Sequence, residues 1–138
     1  MESEAGTNDL ITVGFDGSEP SFAALRWAIA VRESGKIQVV TSYQPKGSES
    51  IDVARMRAEA IVNAAGKVDA GGAKVVLRAI PGEATEVLLE CSQNSRLLVV
   101  GRHGTSGIIH CALGSTGDAC ARMATCPVVI VPPDRRPD

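Results

Sequence analysis

Aromatic residues are scarce in this chain of 138 residues, where Phe, Tyr and Trp together make up only 3%. A core must therefore be built from Val, Ile, Leu and Ala, and the hydrophobic content of 44% is ordinary for a globular protein. The length suits a single domain. The net charge of −2 argues against the clustered basic surface that is typical of nucleic-acid binding.

Long hydrophobic runs are also missing. No apolar stretch approaches the roughly 20 residues that a membrane-spanning helix needs. The first nine residues, MESEAGTND, are acidic and lack the apolar centre of a secretory signal, so we expect a cytoplasmic protein.

Several motifs that would carry chemistry are absent. No GxxxxGK[ST] sequence occurs, so a P-loop is excluded. His103 and His110 have no carboxylate at metal-ligand spacing, which argues against a zinc site. No CxxC pair is present, and we interpret the four cysteines as reduced thiols: Cys91, Cys111, Cys120 and Cys126. A redox role is left open for Cys111, the cysteine in the loop.

Five short apolar runs, rich in β-branched residues, predict strands at residues 10–15, 36–43, 73–80, 96–101 and 127–132. Helix-length segments separate them at about 20–34, 51–69 and 83–94, and a fourth helix follows Gly114. Near-continuous apolar runs indicate strands that are buried on both faces. The alternation predicts a doubly wound α/β fold over residues 9–132, with flexible tails at 1–8 and 133–138.

The first helix carries clear start signals. Ser18 is the expected N-cap and Pro20 suits the first turn. Phe22, Leu25 and Ile29 form the stripe that we expect to face the core.

A glycine-rich stretch joins the fourth strand to the fourth helix: LLVVGRHGTSGIIHCALGSTGDACARM, residues 97–123. Ligands of open parallel sheets bind outside the carboxyl ends of the strands, where the strand order reverses. A helix that begins after Gly114 would direct N–H groups at an anion, and the hydroxyls of Ser115 and Thr116 could bond a phosphate oxygen. The alternative is a plain loop in which Ser115 only caps the helix.

Asp16 follows the first strand in the sequence VGFDGS. If this strand neighbours the fourth, the carboxylate lies across the crevice from Gly101 and can accept hydrogen bonds from a ribose or an adenine amino group. The alternative is an Asx-turn with Gly17.

These motifs resemble the ATP-binding universal stress proteins. Gly101, Gly104 and the pair Gly114-Ser115 match their G-x2-G-x9-G-(S/T) signature, and ITVGFDGSEPSFAALRWA and CPVVIVPP are similar to their first and last segments. The resemblance implies a five-stranded parallel sheet of order 3-2-1-4-5 with four flanking helices. It also implies dimerisation through the last strand, Val128 to Val131.

The resemblance further implies which residues would contact a nucleotide. Adenine would lie between the ends of the first and second strands, with the phosphates over the glycine loop. The implied contacts are Gly14, Phe15, Asp16, Ser42, Gly101, Arg102, His103, Gly104, Gly114, Ser115 and Thr116. For Arg102 and His103, the alternative is a solvated side chain.

We therefore expect a homodimeric protein that binds ATP (or AMP, ADP or cAMP), with magnesium held through the phosphates if it takes part. Fast phosphoryl transfer needs a cation and a placed base, and only Arg102 offers a cation here, so we expect little or very slow hydrolysis. One rival is a nucleotide-free dimeric interaction module of the same fold. The other is an adenylyl-transferring enzyme, although GFDGSEPS lacks the HxGH-like or SGGxDS-like motif of such enzymes.

Overall fold

The computed structural model describes residues 9–33, 35–102 and 115–133. Its strands are β1 (Ile11–Gly14), β2 (Lys36–Tyr43), β3 (Lys74–Pro81), β4 (Leu97–Gly101) and β5 (Val128–Val131). Its helices are α1 (Glu19–Val31), α2 (Ile51–Ala65), α3 (Ala84–Cys91) and α4 (Ser115–Met123).

All neighbouring strands are parallel, and their order is β3-β2-β1-β4-β5. The expected doubly wound sheet and its strand order are thus confirmed. The central strand β1 is buried along its whole length, as its continuous apolar sequence predicts. From β1 the chain adds β2 and β3 on one side of the sheet, and it then adds β4 and β5 on the other side. The switch point therefore lies between β1 and β4, beside Gly14 and Gly101.

Alternate residues of the central strands face two separate layers of helix. Ile11, Val13 and Val39 belong to the core cluster beneath α1 and α2. On the opposite face, Val40 and Leu98 pack with residues of α3 and α4. This is the period-two alternation of a sheet that is covered on both sides.

The buried face of α1 combines Leu25 of the predicted stripe with small residues that the stripe leaves out. Ala24 and Ala28 are fully buried and Leu25 is 1% exposed, whereas Phe22 and Ile29 are only partly buried at the margin of the core. Alanines on this face let the helix axis lie close to the sheet, so the large side chains fill the flanks.

The predicted N-cap Ser18 is confirmed and Ser50 caps α2 in the same way, but α2 ends earlier than expected. Ser18 and Ser50 accept hydrogen bonds from Ser21 and Val53 N–H groups as N-caps. The predicted α2 ran to residue 69, whereas the helix ends at Ala65. Turns follow the helix as far as Val68, and Val68 still packs on the core. The apolar spacing therefore predicted the burial of Val68 correctly but not its helical conformation.

Within the described ranges, no helix combines the length and apolar character needed to cross a membrane.

Candidate functional site

A cavity of about 250 Å³ opens at the carboxyl ends of β1, β2 and β4. It lies at the switch point of the sheet, the position where ligands of doubly wound folds bind. Its walls combine backbone, hydroxyl and apolar groups from six elements and their flanking turns: Gly14, Phe15, Asp16, Ser18, Pro20, Ser21, Val40, Thr41, Ser42, Ala84, Leu88, Val100, Gly101, Thr116 and Gly117.

Three helices begin at this cavity. Pro20 and Ser21 belong to the first turn of α1, Ala84 opens α3, and Thr116 and Gly117 lie in the first turn of α4. The first N–H groups of a helix have no partner within the helix and carry about half a positive charge. The starts of three helices therefore border the cavity, and no lysine or arginine occurs among its lining residues within the described ranges.

Asp16 supplies the carboxylate of the cavity. Its Oδ1 accepts hydrogen bonds from the backbone N–H of Ser18 at 2.9 Å and from the Ser18 hydroxyl at 2.5 Å. The first bond is that of an Asx-turn, the alternative that the sequence left open. Asp16 also lines the cavity, and its contact with a ribose or an adenine stays a prediction. The turn fixes the direction in which the carboxylate leaves the end of β1.

A buried hydroxyl joins the ends of β1 and β2. The Thr41 side chain, 4% exposed, donates to the carbonyl oxygen of Phe15 at 2.7 Å. The Phe15 N–H donates to the Val40 carbonyl at 2.9 Å, which continues the pairing of the strands beyond Gly14. The Phe15 ring packs edge-on against Phe22 with centroids 4.9 Å apart. Both strand ends are therefore held rigidly where they border the cavity.

Close packing explains why residue 101 is a glycine. A Cβ built there would lie 2.3 Å from the carbonyl oxygen of Pro20 and 2.4 Å from its carbonyl carbon. The first turn of α1 thus lies directly on the end of β4. At Gly14 a Cβ would meet the end of the Leu88 side chain at 2.9 Å.

A second, more open cavity of about 470 Å³ adjoins the first and shares Asp16, Thr41, Ser42 and Ala84 with it. It extends past the end of β2 towards α2. The residues that only this cavity contacts are Tyr43, Gln44, Pro45, Lys46, Arg57, Ala58, Ile61, Gly82 and Glu83.

Glu83 caps α3 beside this second cavity. Its side chain accepts a hydrogen bond from the Glu86 N–H at 3.1 Å. Backbone N–H groups of Glu86 and Thr85 hold the pKa of the Glu83 carboxyl below its usual value. The carboxylate is thereby kept ionised at the positive end of α3.

The structure brings together six of the residues that the sequence proposed as nucleotide contacts. Lining the first cavity are Gly14, Phe15, Asp16, Ser42, Gly101 and Thr116. Ser115 begins α4 beside it. Arg102 lines neither cavity; it is exposed, and its backbone N–H donates to the Val131 carbonyl. His103, Gly104 and Gly114 lie outside the described residues, so their proposed contacts stay predictions.

Sequence reasoning missed the contribution of α1 and α3 to the cavity. Ser18 and Pro20 could have been found, because they follow Asp16 by two and four residues and open the next helix. Ala84 and Leu88 have no such signal. Their position depends on α3 packing over β2 and β1 at long range in the chain.

The cysteines of the described segments are core thiols. Cys120 is fully buried, and Cys91 and Cys126 are partly buried beside the same cluster between the sheet and α3. Burial raises the pKa of each of these thiols above its usual value. Thiols of this kind react slowly. Cys111 lies outside the described residues.

The fold defines a doubly wound α/β domain with a cavity at the carboxyl ends of its central strands. Comparison with known proteins narrows this class. The chain matches the model of the universal stress protein family over residues 7–132, and it belongs to that family.

Two similar proteins illustrate the relationship. The universal stress protein Rv2624c of Mycobacterium tuberculosis is 31% identical over 132 residues, covering 91% of this chain and 48% of its own length. This chain therefore spans about half the length of the curated relatives it matches. A universal stress protein crystallised in complex with cAMP is 30% identical, with a TM-score of 0.69 over 90% of this chain and 97% of the other.

The fold extends to more distant family members. A universal stress protein from Archaeoglobus fulgidus, solved in complex with dAMP, is 18% identical with a TM-score of 0.69. That similarity covers 90% of this chain and 97% of the other.

Proposed function

We propose that this protein binds an adenine nucleotide in the switch-point cavity. The single observation that carries the proposal is the convergence of three helix N-termini on the cavity that Asp16 borders. A phosphate suits the amide groups of a helix start, and a carboxylate beside it suits a ribose hydroxyl. The relative of 30% identity that was crystallised with cAMP supports the same ligand class.

The two adjoining cavities suggest how the ligand lies. In our proposal the phosphates point towards Thr116 at the start of α4, and the ribose lies by Asp16. The base extends past the backbone of Ser42 towards the second cavity. The ordering follows the positions of the groups, because Asp16 and Ser42 line both cavities while Thr116 lines only the first.

We propose ATP as a physiological ligand, bound with little or very slow hydrolysis in a stress-response role. Phosphoryl transfer requires positive charge at the γ-phosphate and a group that orients the nucleophile. No lysine, arginine or histidine occurs among the described residues that line the first cavity. Magnesium would enter through the phosphates of the nucleotide.

Calorimetric titration tests the proposal directly. ATP, ADP, AMP and cAMP are each titrated with and without magnesium, and phosphate release is followed in the ATP samples. A ligand at one hundred times its dissociation constant should stabilise the protein by about 2.7 kcal/mol, which also appears as a thermal shift. Absence of heat and of any shift with all four nucleotides would favour the nucleotide-free interaction module instead.

We also propose a homodimer that forms through β5. Within the described residues β5 has a neighbouring strand on one side only. The carbonyl oxygens of Pro127 and Val131 accept hydrogen bonds from the N–H groups of Leu98 and Arg102, on the β4 side. Successive residues of a strand direct their backbone N–H and C=O groups to opposite edges, so those of Val128 and Ile130 face the open edge. An apolar strand with an open edge favours pairing with a second strand.

A further inference from the structure

The connection between β2 and α2 forms a wall of the second cavity. Gln44, Pro45 and Lys46 of this connection line the cavity, and Arg57 lines it from the second turn of α2. The connection has no regular secondary structure, so something else must fix its path.

Glu49 ties the connection together. Its backbone N–H donates to the Lys46 carbonyl at 2.9 Å, and its carboxylate accepts a hydrogen bond from the Lys46 N–H at 3.0 Å through Oε1. Its other oxygen, Oε2, accepts from the guanidinium of Arg57. One side chain therefore joins two lining residues, one on the connection and one on the helix.

The Glu49–Arg57 pair differs from the carboxylate–arginine pair that lies within α2. The side chain of Glu49 is only 18% exposed and that of Arg57 is 36% exposed. Asp52 and Arg55, at 2.7 Å, are 72% and 45% exposed. Neither lines either of the two cavities, and Arg55 reaches the second one only through a hydrogen bond with Tyr43. The Lys46 N–H and the Arg57 guanidinium hold the pKa of the Glu49 carboxyl below its usual value, so the pair stays charged near neutral pH.

We propose that Glu49 and Arg57 are positioning residues for the base of the bound nucleotide: they preset the wall against which the base packs. This proposal rests on the proposed function. A wall that is already ordered spares the ligand the entropic cost of ordering it on binding. Loss of the pair should therefore weaken ligands that reach the second cavity and leave those that end at the ribose unaffected.

The test compares AMP with ribose 5-phosphate, each measured by competition against a fluorescent AMP analogue. Glu49→Ala should weaken AMP by about tenfold and ribose 5-phosphate by less than twofold. Glu49→Gln keeps an oxygen for the Lys46 N–H but loses the charge, so we expect an intermediate affinity for AMP. Glu33→Ala is the control: Glu33 is 79% exposed and pairs with Arg96 at 3.9 Å, just before the amino end of β4 and away from both cavities, so it should leave both ligands unchanged.

A double-mutant cycle with Arg57→Ala completes the experiment. If the pair acts as a unit, the double variant should bind AMP about as weakly as either single variant. Equal loss of AMP and ribose 5-phosphate in Glu49→Ala, or unchanged AMP affinity in both Glu49 variants, would overturn the positioning role while the nucleotide site stands. Failure of the unaltered protein to bind the AMP analogue would overturn the nucleotide site, and the positioning role with it.

Discussion

Replacing Gly101 with alanine should destabilise the protein and distort the cavity together. The new methyl group would lie 2.3 Å from the carbonyl oxygen of Pro20 and 2.7 Å from its Cβ. These atoms belong to the backbone and ring at the start of α1, so no side-chain rotation relieves the overlap. Insertion of a methyl group into close packing costs about 1–3 kcal/mol, and a clash with backbone belongs at the upper end of that range.

Urea unfolding provides the assay, because the only tryptophan, Trp27, is in the helix that must shift. A loss of about 2–3 kcal/mol should lower the urea midpoint and should lower Tm by about 8 °C in a domain of this size. Gly66→Ala is the control: its φ of −68° is ordinary, and the nearest atom to the new Cβ would be the end of the Leu77 side chain at 3.2 Å. An unchanged midpoint in Gly101→Ala would refute the close contact between α1 and β4.

Three further perturbations test other parts of the structure. Thr41→Val should cost about 1 kcal/mol in urea unfolding, because it removes the hydrogen bond to the buried strand end, and a Thr41→Ser variant that retains stability would confirm that the hydroxyl matters. Glu49 and Glu83 have folded-state pKa values below the usual value of about 4.3, so their stabilisation is complete above that pH and is lost as the pH falls through the lowered values. The double variant Glu49→Gln/Glu83→Gln should therefore differ from the unaltered protein at pH 7 and converge with it in acid; a constant difference across the pH range would contradict this. Ile130→Pro removes an N–H from the outer edge of β5 and should shift the protein from dimer to monomer in light scattering, whereas Ile130→Ala, which keeps the N–H, should remain dimeric; a dimeric Ile130→Pro protein would exclude pairing through this edge.

The sequence predicts most of the fold because its signals are local and consistent. Buried strands such as β1 and β4 appear as continuous apolar runs, and Ser18 and Ser50 mark the helix starts as N-caps. The end of α2 could not be predicted, because Val68 continues the helical spacing while the chain has already turned at Gly66.

The candidate site is predictable only in part, for a similar physical reason. Asp16 follows β1 and Gly101 is the last residue of β4, and the rule that parallel strands end on one side places the two residues together. The approach of α1 to Gly101, and that of α3 to the cavity through Leu88, depend on how closely the helices pack on the sheet. That spacing depends on side chains distant in sequence, such as Ala24 and Ala28, and no short motif encodes it.

Amide chemical-shift mapping during an AMP titration tests the central claim most directly, since it reports both whether the nucleotide binds and where. The largest changes should occur at Gly14, Gly101 and Thr116, around the ends of β1 and β4 and the start of α4, with little change at Val76 on the distant edge strand. Absence of any shift, or shifts concentrated away from these strand ends, would contradict a nucleotide site at the switch point of the sheet.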